Sequence, residues 1–442
     1  MIKVLLWLRY LRTRPVVLLS ITAVALAVSL LMVVSSLFTG FIRTFERSAT
    51  DLIGDILLLS PSRFDHADEL IEDLRGSGLV RAAAASTQIP GLLHIATGNV
   101  RPVQVWGIEV ADLMQVTSLG KWLVGQAGGP ITLAAQATGR VPAIVGIGLL
   151  LEPDPLTDRY DVDQARKLIG QRLVLTCPAI SNLDPNQQPQ RPMRRTIELV
   201  IADILHTGNW LFDQQAVLLP SRSLQLDPNS SQVFVDRIQI RLANGMDPQQ
   251  AIATISLIWG RFAQGVLGWG PYQVAQAEIL PARQLQARFL AEVRKQLGVL
   301  LVIFGVVDTA AIVLVFCVFY MLARLKVRDI AILKACGCPS SQIVFLFLGL
   351  GTVVGAIGAG FGVVLGYLFT HNINYIEDRI SSLIGIRLWD SSAYLFEHIP
   401  DQVAWDTVWI IVLLATVAAA IGALAPAMMA ARARPVEILR YE

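Results

Sequence analysis

The sequence predicts an α-helical membrane protein: four transmembrane helices, with a large α+β extracytoplasmic domain between the first and the second. Three observations carry this. Of 442 residues, 54% are hydrophobic and only 16% charged, and the mean hydropathy is +0.56. The apolar residues are unevenly spread. They collect in four runs, each long enough at about 1.5 Å per residue to cross a hydrocarbon core of ~30 Å. Basic residues cluster at the ends that a four-span topology puts on one side.

Residues 1–14 carry Lys3, Arg9, Arg12 and Arg14 and are expected to be cytoplasmic. Residues 15–41 form the first uncharged run. Ala25-Leu26-Ala27 resembles a signal-peptidase site. The run continues unbroken through Leu37, beyond the roughly 7–15 apolar residues of a signal peptide, so an uncleaved anchor is expected. After Gly40, FIRTFERSATDLIG is amphipathic and can prolong this helix past the membrane.

Residues 42–296 form the extracytoplasmic domain. Asp55–Ser60 reads as a strand and Asp65–Arg75 as a helix ending at Gly76. Val100–Ile108, Gln171–Thr176 and Ile197–Leu205 read as strands. Asp247-Pro248 starts a helix with an N-cap and a proline in its first turn, running to about Phe262. Tyr272–Ile279 is expected as a last strand. Mixed elements over this length predict an α+β domain, with a two-lobed form possible. It holds no G-x-S-x-G, no H-E-x-x-H and no paired-carboxylate pattern, so no catalytic and no metal residues are assigned. Pro178–Arg195 is rich in Pro, Asn and Gln and ends in Arg191, Arg194 and Arg195. Two readings are open: a plain hairpin connection, or a protruding arm that grips a soluble partner through those arginines.

The second run is 297–323 and contains Asp308. Counted back from Arg324, it lies ~24 Å from the cytoplasmic boundary, in the outer leaflet. It is either a functional acid facing a cavity or a residue hydrogen-bonded to a neighbouring helix near a wet mouth. Residues 324–342 carry Arg324, Lys326, Arg328 and Lys334 against Asp329, which places them in the cytoplasm. Arg328–Cys336 is expected as a short helix closed by Gly337 as a left-handed cap. Pro339 then stops it, and Ser340 or Ser341 caps the next helix. This is an ordinary basic loop or a lever that an ATPase grips. The third run, 343–370, carries Gly351, Gly355, Gly358, Gly362 and Gly366, a small-xxx-small pattern for helix packing in lipid. Residues 371–406 form an acidic outer loop. The last run, 407–429, is Ala-rich with Pro426 near its inner end, and the tail 430–442 is basic again. Both termini are expected in the cytoplasm.

Several classes are disfavoured. A net charge of +2 gives no footprint for nucleic acid. The four cysteines do not make a disulfide framework, and Cys336 and Cys338 lack a second ligand pair for zinc. There is no G-x-x-x-x-G-K-[ST]. The one Gly-Lys pair, Gly120-Lys121, is followed by Trp122, so no ATP hydrolysis and no cofactor are assigned to this chain. No relay of intramembrane charges and no inverted repeat supports a secondary transporter.

RDIAILKACGCPSSQI (328–343) resembles the loop after the second span in permeases of the MacB/FtsX-like class of ABC transporters. Asp329, Ile330, Leu333, Lys334, Gly337, Gln342 and Ile343 match, whereas Cys336 and Cys338-Pro339 depart from it. PAMMAARARPVEILRYE resembles the class's C-terminal signature through Pro426, Ala430, Pro435, Leu439, Arg440 and Glu442. A narrower resemblance is to the lipoprotein-releasing permease family LolC/LolE. It rests on RYLRTR near the start, VQVWGIEVADLMQVTSLGKWL (103–123) and IGIRLWDSSAYLFEHIPDQVAWDTVWII (384–411). The resemblance implies a non-catalytic subunit of the bacterial inner membrane. Its partners would be a second permease, homologous or identical, and a cytoplasmic ATPase dimer that binds ATP and Mg. The implied ATPase contact is Arg328, Asp329, Ile330, Leu333, Lys334 and Gly337, with Arg440 and Glu442. Lipoprotein or similar lipidic cargo would enter a cavity near Asp308. A periplasmic carrier would meet the arm at 178–195, a position the family uses for a hook. FtsX-like control of a cell-wall hydrolase and MacB-like efflux are the alternatives.

Overall fold

The computed structural model describes residues 15–96, 98–125, 140–155, 158–178, 194–225, 232–285, 287–325, 327–385, 389–390, 396 and 398–432. Two compact units emerge. One holds the long apolar helices. The other holds Thr44–Phe289 together with Glu377–His398.

The helical unit is built on α1 (Pro15–Ile53). In the outer unit, α2 (Ala67–Gly76), α3 (Val110–Val116) and α4 (Pro248–Gly265) are the principal helices. After them come α5 (Ala287–Leu325), α6 (Val327–Ala335), α7 (Ser340–His371), α8 (Ile373–Ile384) and α9 (Trp405–Arg432). Four of these, α1, α5, α7 and α9, are long and apolar enough to cross a membrane. Both α1 and α5 outrun the apolar runs of 15–41 and 297–323, by about a dozen residues and ten. The amphipathic stretch after Gly40 is part of α1, as its pattern predicted.

Among the described residues the outer unit carries nine strands: β1 (Ile56–Phe64), β2 (Val80–Ala96), β3 (Asn99–Ile108), β4 (Val141–Gly146), β5 (Arg172–Pro178), β6 (Arg194–Leu205), β7 (Ala216–Pro220), β8 (Val235–Leu242) and β9 (Glu278–Pro281). They form one sheet of order β3-β7-β4-β6-β5-β2-β8-β1-β9, and β2 also pairs with β3. That extra pairing closes β2, β3, β7, β4, β6 and β5 into a barrel. Its inside is filled by Leu93, Val105, Val145, Leu175, Leu199 and Val217, all fully buried. The 17-residue β2 serves both halves. Its first part, Val80–Ser86, pairs with β8. Its later part, Ser86–Ala96, pairs with β3. The open half, β2-β8-β1-β9, is covered by α2 and α4. There Trp259 and Phe262 pack on Phe64 and Leu74.

One strand was missed and two expectations are corrected. β2 has no strand signature because it begins VRAAAAS, a poor β sequence. Ala83 faces the α2/α4 core while Ala82 and Ala84 face the α3 core. A strand covered closely on both sides is served by small residues, so packing overrides propensity. The expected strand Tyr272–Ile279 is instead a helical turn, Pro271–Ala275, with proline in its first turn. Only Glu278–Pro281 pairs, against β1, because proline has no N–H for a ladder and favours N1. The expected loop 371–406 contains the amphipathic α8. From Glu377 it belongs to the outer unit, where Arg159 pairs with Asp378 at 3.3 Å and Phe396 stacks edge-on against Phe45.

Candidate functional site

The chemistry-bearing end of the helical unit is the turn from α5 through α6 into α7. α6 ends where its sequence says it must: Gly337 sits at φ +90°, a conformation open to glycine at little cost, and its N–H donates to the Lys334 carbonyl at 3.0 Å. α6 is docked on the end of α9. Ile330 and Ala331 are buried, and Ile330 lies in one cluster with Ile343, Phe347, Ala427 and Ala430. Lys334 Nζ donates to the carbonyl of Ala431 at 2.7 Å, and Ser340 Oγ donates to the same oxygen at 3.2 Å. Carbonyls in the last turn of a helix have no intrahelical donor and sit at the negative end of its dipole. A cation and a hydroxyl from the adjoining turn satisfy this one.

Lys334, one of the residues implied as an ATPase contact, turns its ammonium onto α9, and one expectation is revised. Ser340 was expected as a cap, yet it is the first residue of α7 and makes no capping bond. Pro339 leads into the helix in extended conformation, and the Ser340 hydroxyl is spent on Ala431. Ile332, half exposed, lies on the opposite side of α6 from the buried Ile330. The side chains of Arg328, Asp329 and Leu333 lie outside the described residues, as do Arg440 and Glu442.

The five glycines of α7 divide between two neighbours. A Cβ at Gly351 or Gly355 would stand 2.6 or 2.7 Å from those of Ala423 and Ala419 on α9. At Gly358, Gly362 and Gly366 it would stand 2.9 Å from Val24 Cβ, 2.7 Å from the Ala25 carbonyl and 2.9 Å from Met32 Sδ on α1. Hence α7 is the spine that holds α9 along its N-terminal part and α1 along its C-terminal part. The matching signal on α9 was missed: Ala415, Ala419, Ala423, Ala427 and Ala431 recur every fourth residue, the small-residue complement of the glycine row. Gly422 adds a third approach, 3.0 Å from the Ile312 carbonyl of α5.

Between α1, α5 and α9 lies a cavity of about 210 Å³ lined by aliphatic residues, among them Val28, Leu31, Ile312, Ile411 and Ala415. Among the described residues that line it, no side chain is polar. Asp308 occupies α5 about one turn beyond Ile312; its side chain lies outside the described residues.

In the outer unit β5 and β6 pair as an antiparallel hairpin, with Pro178 opposite Arg194 and Cys177 opposite Arg195. Arg194 and Arg195 therefore belong to the sheet and not to an arm. The Arg195 guanidinium is turned inward and donates to the Gln225 carbonyl. The remainder of that segment, Arg191 included, lies outside the described residues. The Cys177 thiol is pushed up by burial, with Arg195 opposing. Asp213 is a strongly perturbed acid. Burial raises it to about 6, against the N–H and hydroxyl groups of Thr207, the charge of His206 and the Gly208 N–H. Its carboxylate accepts from Thr207 Oγ1 at 2.8 Å and Gly208 N at 3.0 Å, which ties the turn after β6.

Residues 301–435 match the FtsX-like permease C-terminal family. The chain carries an FtsX-like permease domain. That domain spans most of α5, the α6 turn, α7 and α9, the elements joined by the glycine seam and the Ala431 carbonyl. Along the whole chain there is similarity to the lipoprotein-releasing system transmembrane protein LolC of Neisseria meningitidis serogroup B. Identity is 23% over 98% of each chain. LolC of Xylella fastidiosa (strain 9a5c) is 36% identical over 122 residues, 28% of this chain and 30% of that one. Among solved structures, the extracellular domain of the ABC-type transporter YknZ aligns with 51% of this chain and 98% of that domain. Identity there is 12% and the TM-score 0.31.

Proposed function

We propose that this chain is the transmembrane permease subunit of an ATP-binding cassette complex that lifts lipoprotein, or a similar lipidic cargo, from the outer leaflet of the inner membrane. A separate cytoplasmic ATPase dimer binds ATP and Mg and supplies the energy. A second permease subunit, identical or homologous, completes the membrane part, and a periplasmic carrier receives the cargo. The observation that carries this reading is the fastening of α6 to α9. Lys334, Ser340 and Ile330 lock a short surface helix to the end of a span, so a push on α6 moves α9. The seam of Gly351 and Gly355 hands that movement to α7, and Gly358, Gly362 and Gly366 hand it to α1. Close-packed interfaces transmit displacement because they do not compress. The similarity to LolC over nearly the whole length supports lipoprotein as the cargo, and the aliphatic cavity suits an acyl chain.

The experiment is reconstitution of the chain with its ATPase in proteoliposomes, with transfer of a fluorescent lipoprotein to a soluble carrier as the readout. ATP-dependent transfer is expected, and Asp329→Lys should lower cargo-stimulated ATP turnover. ATP-independent binding of a peptidoglycan hydrolase, without transfer, would instead support an FtsX-like scaffold.

A further inference from the structure

The chain runs from α1 into the sheet and from the sheet toward α5 side by side. α1 ends at Ile53, and Gly54, at φ +96°, turns the chain into β1. A side chain there would stand 2.8 Å from the Ile240 carbonyl. The exit lies beside it. β9 pairs with β1, Ile56 opposite Pro281, and the Ala282 N–H donates to the Asp55 carbonyl at 2.9 Å. α5 starts at Ala287. Asp55 is therefore where the connections to α1 and α5 converge.

The Asp55 carboxylate accepts from Arg241 Nη1 at 3.2 Å and from the Leu242 N–H at 2.8 Å. Arg241 does more than pair with it. Its Nε donates to the Val116 carbonyl at the end of α3, at 2.8 Å, and its Nη2 donates to the Thr50 carbonyl in the last turn of α1, at 3.1 Å. Both side chains are about four-fifths buried, at 21% and 22% exposure. One planar guanidinium thus holds three partners: the end of α1, the end of α3 and the residue where the chain enters and leaves. A second tie, Ser118 N–H to the Asp51 carbonyl at 3.0 Å, runs parallel to it. Neither motif nor composition marks Arg241, which sits in an ordinary alternating strand.

We propose that Arg241 and Asp55 form a joint inside the outer unit that fixes the last turn of α1 to β8 and α3, so that this turn and the sheet move as one piece, and that Arg241 is a positioning residue for cargo handling. The proposal rests on the permease reading above. Without the clamp, the end of α1 is held to the rest of the outer unit by the turn at Gly54, the Ser118–Asp51 bond and a bond from Asn209 Nδ2 to Ser48 Oγ at 3.3 Å. The fork geometry of arginine fixes direction as well as contact, which a lysine ammonium cannot do.

The test uses the full chain in lipid nanodiscs. Cys177, Cys317, Cys336 and Cys338 are replaced, and spin labels are placed at Arg47 on α1 and Gln249 on α4. The wild-type distance distribution is expected to be narrow. Arg241→Met should broaden it, Arg241→Lys should fall between, and Arg140→Met, which breaks an ion pair on the barrel, should leave it unchanged. Tryptophan emission from the Trp259 cluster reports folding. If Arg241→Met fails to fold, Asp55→Asn with Arg241→Lys carries the same comparison. In the complex with its ATPase, Arg241→Met should release about tenfold less lipoprotein per ATP, the loss expected of one charge-assisted hydrogen bond. A distribution as narrow as wild type in Arg241→Met, or in Asp55→Asn with Arg241→Lys, overturns the joint. If the wild-type complex releases no lipoprotein, the permease reading fails while the spin-label distances still decide the joint.

Discussion

The α7 seam and the core of the outer unit hold helices and strands together by opposite means. In the outer unit, large side chains interlock: Phe64 meets Trp259 and Phe262 edge to face at 5.4 and 6.0 Å, and Trp259 tilts against Phe262 at 6.1 Å. Along α7, side chains are removed so that backbones touch. The solvent explains the difference. In water, burying an aromatic side chain releases hydration and contributes roughly 1.5–3 kcal/mol. In lipid, a leucine on the outside is as comfortable as one on the inside, so helices gain by close van der Waals approach between small residues. Glycine thus means opposite things in the two regions. At Gly54 it serves backbone conformation, and at Gly355 it serves proximity.

Changes at each region should separate the two modes. The largest effect is expected from Trp259→Ala, which empties the α2/α4 core and should cost ~3–5 kcal/mol, read as a drop in the outer unit's melting temperature with the helical unit's far-ultraviolet signal retained. Next is Gly355→Leu. It inserts a side chain where a Cβ would already lie 2.7 Å from Ala419, and overpacking should cost about 1–3 kcal/mol. Gly360→Leu, on the open side of the same helix with no atom near its Cβ, should change detergent melting little, and equal effects at the two sites would refute the seam. Lys334→Met should cost up to ~1.5–3 kcal/mol through the lost charge-assisted bond to Ala431. Faster amide exchange in α6 would report it, with Lys334→Arg partly restoring protection.

The smallest effect concerns pH. Asp213 is raised by burial to about 6 from an ordinary 3.8. The folded state therefore holds this proton more tightly than the unfolded one. The resulting stabilisation is complete below about 4 and is lost as pH rises through about 6. Amide exchange at Thr207 and Gly208 should quicken between pH 5 and 7 beyond its intrinsic pH dependence, and Asp213→Asn should flatten that slope. A steeper slope in the variant would contradict the assignment.

Much of the helical unit is legible in the chain because lipid imposes length and apolarity on each span, and both are sums over residues. The glycines at four-residue spacing and the cap at Gly337 are local codes of the same kind. The outer unit yields less. Asp247-Pro248 announces α4, and alternation announces β3 and β6. β2 hides in an alanine run, and β4 and β7 carry no distinguishing pattern because a barrel strand covered on both faces has no polar side to alternate with; β8, outside the barrel, does alternate (VDRIQIRL) and was missed.

Sequence alone thus sets the spans, their small-residue faces and the basic turn after α5, since each follows from local pattern and from the solvent around it. Tertiary structure alone decides that Lys334 turns onto Ala431, that Arg195 folds into the hairpin base, and that Arg241 gathers Thr50, Asp55 and Val116. A long cationic side chain is free to choose among acceptors far apart in the chain, and only the folded arrangement says which oxygen lies within its reach.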